Sequence, residues 1–222
     1  TEVMETIWPY AIRDQRNIGH KAIFAAQTWR TLHTIGWQHA EPCLRSLVYG
    51  LLDRQGRPGT EVVGPFAENR KVAEQFRESW GTGTADMAAS DGVLTELRSA
   101  SPAAASSALL EYIQGGIDPA GIWDGLLKAA NELLLRKPGI VSLHAVTSLN
   151  ALHNIFAISG TDGVRRLCLL QAASWVALFR DAMGEARALK INELEPFDAS
   201  PNSPETIADI FATAGRDREQ AA

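Results

Sequence analysis

The chain has little cysteine: Cys43 and Cys168 are the only two in 222 residues. Neither sits in a Cys-x-x-Cys or Cys/His ligand spacing, which argues against a disulfide framework or structural zinc and leaves two structural thiols inside predicted helices. Long apolar runs are also missing. No stretch approaches the roughly 20 residues that a membrane span requires, so no membrane partner is expected. Basic surplus is lacking as well: 21 Lys and Arg stand against 26 Asp and Glu, for a formal charge of -5. The bases are scattered among the acids, and nucleic acid is therefore not an expected partner. Strand-like alternation flanking Asn-Gly or Asp-Gly turns is absent. So are a P-loop, a Ser/His/Asp signature, His-Glu-x-x-His and paired Glu-x-x-His. Gly81-Thr82-Gly83 has neither a preceding strand nor the following glycine spacing, so no Rossmann-bound nucleotide is expected.

What remains is 45% hydrophobic and 21% charged, an ordinary balance for a globular chain. Apolar residues recur at helical spacing nearly throughout, which predicts an all-α fold. A single domain over 1–222 is expected, built as an orthogonal or antiparallel bundle of about nine helices. These fall at about 14–35, 40–54, 65–79, 86–99, 102–114, 119–136, 140–158, 162–182 and 204–214, with a shorter helix ending before Pro9. A repeated device marks the starts. In Gly64-Pro65, Ser101-Pro102, Asp118-Pro119 and Ser203-Pro204, a small or polar cap precedes a residue that needs no hydrogen-bond donor in the first turn. The connectors 53–64, 81–84 and 194–203 read as loops, and the tail from Arg216 as frayed.

Two stretches repeat one helical hairpin at an offset of 120 residues, spanning 14–54 and 140–182. Leu32-His33-x-Ile35 precedes Arg45-x-Leu47, and Leu152-His153-x-Ile155 precedes Arg165-x-Leu167 at the same interval. Each copy has a second histidine upstream, His20 and His144, on a helix otherwise rich in Ala, Leu and Ile. An imidazole in such surroundings needs a hydrogen-bond partner, a metal or a ligand. On helix 140–158 the ridge His144, Thr147, Asn150, His153 turns about 180°, so its two histidines face opposite sides. On helix 14–35, His20, Gln27, Thr31 and Thr34 make a comparable seam. The pattern predicts two central helices that bring His20 and His144 together around an interior hollow.

His20 and His144 are the candidate catalytic residues, as acid/base groups or metal ligands. Gln27, Trp37, Thr147 and Asn150 are candidate substrate contacts. His39, Glu41 and His153 are secondary candidates for metal or acid/base work. Each has a plainer reading: Glu41 at a helix start favours the dipole, and His33 and His153 near helix ends can meet terminal carbonyls. Arg45 and Arg165 can hold helix ends or pair with carboxylates such as Glu41 and Asp162, and Trp29, Trp37 and Trp175 can be core anchors or pocket lips.

At Ile18-Gly19-His20-Lys21-Ala22-Ile23 and Leu143-His144-Ala145-Val146-Thr147-Ser148, followed by Arg166-Leu167-Cys168-Leu169-Leu170-Gln171-Ala172, the chain resembles the questin oxidase-like proteins. The likeness covers roughly a third of the chain, and the motifs are short. It departs at Phe24, where family members tend to carry another histidine, and residues 1–19 contain no counterpart of their histidine-rich N-terminal segment. The strings from Gly19 to Phe24, Gly36 to Pro42 and His144 to His153 are still more similar to those of certain bacterial proteins. The resemblance implies a helical oxidoreductase, an oxygenase or oxidase acting on a hydrophobic or aromatic molecule through His20, His144 and Thr147.

A metal ion or haem is compatible with that implication, while the residues alone leave the cofactor open. The competing reading is a non-catalytic helical ligand-binding or scaffold protein with structural histidines. A homo-oligomer is compatible with both. The start Thr1-Glu2-Val3-Met4-Glu5 has no basic or apolar signal character, and a cytoplasmic location is expected, although an opening Thr leaves room for an upstream export signal.

Overall fold

A computed structural model describes residues 2–52, 65–84, 86–195 and 204–217. They form ten α-helices, and the only extended pairing among them is an isolated bridge between Thr84 and Ile117. Two compact units result, Thr1–Ile191 and Asn192–Ala222. In the larger, the helices are α1 (Glu2–Ile12), α2 (His20–Ile35), α3 (Ala40–Leu52), α4 (Phe66–Ala73), α5 (Met87–Leu97), α6 (Pro102–Gln114), α7 (Pro119–Arg136), α8 (Ile140–Ile158) and α9 (Asp162–Met183). The smaller contains α10 (Pro204–Ala214). No described helix is long and apolar enough to cross a membrane.

The predicted caps act where they are described. Ser101 Oγ accepts from Ala104 N at 3.2 Å, and Asp118 Oδ1 accepts from Ala120 N at 2.7 Å. Asp86 adds a cap of the same kind, accepting from Ala88 N at 2.8 Å. Gly64 and Ser203, like most of the predicted loops 53–64 and 194–203, lie outside the described residues.

Three helix boundaries are corrected. The opening helix runs through Pro9 instead of stopping before it. Met4, Trp8, Ala11 and Ile12 are all fully buried along one face. Burial at about 1.5–3 kcal/mol for each large side chain outweighs the ~3 kcal/mol of an interior proline. The helix expected from 65 to 79 ends at Ala73, and Phe76 and Trp80 enter the core from tighter turns, Phe76 N donating to Ala73 O and Trp80 N to Arg77 O. Arg166 donates to the Ala73 carbonyl at 3.3 Å and so helps to close that end. The helix expected from 14 starts at His20, for a reason tied to the site below.

Helix α9 is the axis of the larger unit: thirteen of its residues are buried, from Val164 to Met183, and α1, α4, α6, α7 and α8 all pack on it. Asn69 on α4 fastens three of these helices. Its Nδ2 donates to Gln171 Oε1 at 2.7 Å and to Ser174 Oγ at 3.1 Å, while Ser106 Oγ donates to its Oδ1 at 2.6 Å. Gln171 Nε2 in turn donates to Ile12 O at 2.7 Å. A buried polar network with its members partnered costs little and fixes how the helices register.

Candidate functional site

Helix α2 crosses α8 with His20 against His144. The two Nε2 atoms are 2.9 Å apart, with ring centroids at 4.7 Å and planes at 79°. His144 Nδ1 lies 2.7 Å from the Ile140 carbonyl. A carbonyl only accepts, so Nδ1 of His144 carries hydrogen. In the neutral pair its Nε2 is then the acceptor, and His20 Nε2–H is the donor. The tautomer of both rings is thereby set by one main-chain oxygen. Both rings are half-buried.

The segment before His20 explains why the pair meets. Asn17, Ile18 and Gly19 all have positive φ, at 62°, 50° and 78°. A β-branched residue in that region is a real conformational outlier. The turn is held by Asp14, whose carboxylate accepts from Arg16 N, Nε and Nη2 at 2.8–3.0 Å and from Lys21 Nζ at 3.1 Å. Asp14 and Lys21 side chains are both 1% exposed. Burial alone would raise the Asp14 carboxyl, but the hydrogen bonds and charge of Arg16 and Lys21 outweigh it and hold it below its ordinary range. Gly19 closes the approach to α8: a Cβ there would fall 2.6 Å from Ser148 Cβ. Ser148 is itself fixed, donating to the His144 carbonyl at 2.5 Å.

On its other side the His20 ring stacks on Phe24, with centroids 5.5 Å apart and planes within 6°. Phe24 also lines an apolar groove of about 580 Å³ between α2 and α3, together with Gln27, Thr28, Thr31, Cys43 and Tyr49. A hollow is therefore present, but it lies between α2 and α3, not between the two histidine-bearing helices, whose rings touch directly.

The remaining candidates are dispersed. Gln27 lines the groove. Trp37 packs edge-on against Trp29 and His33. Thr147 donates to Leu143 O, and Asn150 accepts a long 3.5 Å contact from Arg30. His39 is exposed in the 3-10 turn Trp37–His39, and Glu41 is paired at 3.6 Å with Arg45 on the surface. His153 faces away from His144, as its helical phase requires, with Trp123 and Phe156 beside its ring. Burial holds it below the ordinary histidine value. Of the two roles open to Arg165, pairing with Asp162 is not the one observed: Asp162 pairs with Arg166 at 2.5 Å, and Arg165 lies over Trp80 and Phe156.

No family model matches this chain, and no curated protein or solved structure matches it either. The chemistry must therefore be read from the residues. Two Nε2 atoms 2.9 Å apart are at hydrogen-bond distance, closer than the ~3.3 Å kept by two tetrahedral ligands at about 2.0–2.1 Å from one ion. No group of three or more His, Cys, Asp or Glu side chains among the described residues is placed to hold a metal.

Sequence reasoning missed Phe24, Cys43, Tyr49, Asp14 and Lys21. Lys21 had left a signal: it falls on the stripe with Ala25 and Leu32, spaced as a core residue. Both thiols are free; Cys168 is buried, which pushes its pKa up, while Cys43 is half-buried in the groove instead of in the core.

Proposed function

We propose that the chain is an oxidoreductase of the oxygenase or oxidase kind, acting on a flat hydrophobic or aromatic small molecule held in the α2–α3 groove. The His20–His144 pair serves it as a proton-transfer couple. The observation that carries this reading is the imidazole–imidazole contact at 2.9 Å, one aromatic ring away from an apolar groove. Accepting one proton converts the neutral pair into an imidazolium–imidazole couple that shares a proton between the Nε2 atoms, with the Ile140 carbonyl stabilising the His144 end. Phe24, Pro42, Leu47 and Tyr49 supply the apolar wall, and Gln27, Thr28 and Thr31 supply the few polar groups that orient a ligand. The resemblance to the questin oxidase-like proteins supports an oxygen-dependent reaction on a ring ketone.

The test is incubation of the purified chain in air with a panel of polycyclic aromatic ketones, with and without NADPH, following oxygen uptake and product mass. Turnover that is lost in His20→Ala and His144→Ala but retained in His33→Ala is the expected result. A protein that consumes no oxygen, and whose tryptophan fluorescence is unmoved by every ketone, would falsify the assignment.

A second reading, a non-catalytic ligand-binding or scaffold protein, is favoured by one fact: both ring nitrogens of His144 are already engaged within the fold. Ligand binding in the groove that survives both histidine substitutions, with no turnover and lowered thermal stability, would select it.

A further inference from the structure

The arginine of the repeated motif has a partner in one hairpin and lacks it in the other. In the first, Arg45 pairs on the surface with Glu41, four residues before it. At the 120-residue offset Glu41 becomes Thr161, so Arg165 has no such acid. Each oxygen of the neighbouring Asp162 already has a partner: Oδ1 accepts from Trp80 Nε1 at 2.8 Å, and Oδ2 pairs with Arg166.

Arg165 is half-buried against aromatic rings instead. Its guanidinium carbon lies 4.8 Å from the centre of Phe156 and 5.2 Å from that of Trp80, two rings whose planes are 74° apart. Among the described residues no oxygen accepts a hydrogen bond from it. Phe156 has Trp123 at 5.4 Å and His153 at 6.4 Å, and these two touch each other at 4.9 Å. Neither ring nitrogen of His153 is hydrogen-bonded to a described residue, and Trp123, 2% exposed, has its Nε1 buried with no acceptor. Unpartnered polar groups away from water are rare in folded proteins, and a cation among them is costly. Three such groups around one phenyl ring point to an acceptor that the fold does not itself supply.

We propose that the corner formed by Arg165, Phe156 and His153 is a second binding site, which takes the carboxylate of an aromatic monoanion. The guanidinium offers a fork of N–H donors that matches a carboxylate. Phe156 and His153, both half-buried, offer ring surface to the flat body of the ligand. Burial keeps the His153 ring neutral at pH 7, so one of its nitrogens donates without adding charge. Charge decides the class: one unpaired guanidinium balances a carboxylate and falls short of a phosphate dianion. The site is separate from the α2–α3 groove, because His153 faces away from His144 on α8, and it requires no chemistry at the His20–His144 pair.

The test is a titration of the full chain, followed by ¹H–¹⁵N spectra, with naphthoate, its neutral analogue naphthylmethanol and inorganic phosphate. Naphthoate is expected to move the Arg165 Nε–H and Trp123 indole N–H signals, with the other two binding at least tenfold more weakly. Arg165→Met keeps the reach of the side chain over both rings and should lose at least tenfold in naphthoate affinity, the scale of a charge-assisted hydrogen bond. Arg165→Lys, which keeps the charge without the fork, should lose most of that affinity too. Arg45→Met, the matching change in the first hairpin, should bind naphthoate unchanged. The proposal is overturned if naphthoate leaves both signals unmoved, shifts only residues of the α2–α3 groove, or binds Arg165→Met as tightly as the wild type. Naphthylmethanol or phosphate binding as tightly as naphthoate overturns it as well, and that comparison needs no variant to fold.

Discussion

Asp14→Asn isolates the energetics of the turn that delivers His20. It leaves the Lys21 ammonium, 1% exposed, without its anion, whereas Arg16 at 34% can turn toward water. Breaking a buried ion pair by removing one partner costs about 3–5 kcal/mol, and asparagine can still accept one hydrogen bond, so the lower end is expected. At 2–4 °C per kcal/mol for a unit of this size, the midpoint of thermal unfolding should fall by roughly 6–12 °C. Because the folded-state pKa of Asp14 is depressed, its stabilisation is present above the unfolded value near 4 and is lost as pH falls through the lower folded value. The gap between wild type and variant should therefore narrow below about pH 4. Adding Lys21→Met should recover most of the loss, since an apolar replacement of a buried pair is often neutral. Thermal unfolding by circular dichroism at pH 7 and pH 3 measures all three quantities. A loss under about 2 °C, or a gap of equal size at both pH values, refutes the claim that this pair holds the turn.

Gly19→Ala meets both a positive φ and a Cβ contact of 2.6 Å with Ser148; a loss of 2 kcal/mol or more is expected by urea unfolding, together with changed ¹⁵N shifts of the His20 and His144 rings. Asn69→Ala removes three buried hydrogen bonds and leaves Gln171 Oε1 without its donor, while Ser106 and Ser174 keep each other and the Pro102 carbonyl; it should cost about 1–3 kcal/mol in the same assay. His153 has its pKa lowered by burial, so the unfolded chain binds the proton first and stability falls as pH drops below the unfolded value near 6.5. In His153→Phe, the decline in melting temperature between pH 7 and pH 5 should shrink; an unchanged slope would place the titration elsewhere.

Helix content was legible because the signals are local. Ser101, Asp118 and Asp86 cap their helices through bonds to residues two or three ahead, and the apolar stripes of α7, α8 and α9 announce their buried faces. The meeting of His20 and His144 was legible because each lies on a nearly apolar helix with one polar seam, which marks two central helices, although the pair is 124 residues apart and so occupies different positions of the 120-residue repeat. What lay beyond reach was set by tertiary burial. The start of α2 at His20 depends on Asp14 being buried together with Lys21, seven residues on, and on Gly19 seating against the distant Ser148, and the apolar pattern encodes neither. The groove eluded the reading because six of its ten lining residues, including Cys43 and Tyr49, come from α3, and only the packing of α3 beside α2 brings them to the Phe24 and Gln27 face.

The twin hairpins show why a repeat in letters need not repeat an environment. Leu32 and Leu152 are both fully buried, so the leucine of the shared Leu-His-x-Ile motif keeps one role in both copies. One step along, Ile155 is fully buried while Ile35 is 46% exposed, and Arg165 lies over Trp80 and Phe156 while Arg45 is 81% exposed. The difference comes from neighbours that only the second hairpin has: α7 supplies Trp123, and the turn after α4 supplies Phe76 and Trp80. Where such neighbours are present, the repeated residues become core. Where they are absent, the first copy keeps an open apolar groove between α2 and α3, and ligand binding can develop there at little cost to the fold.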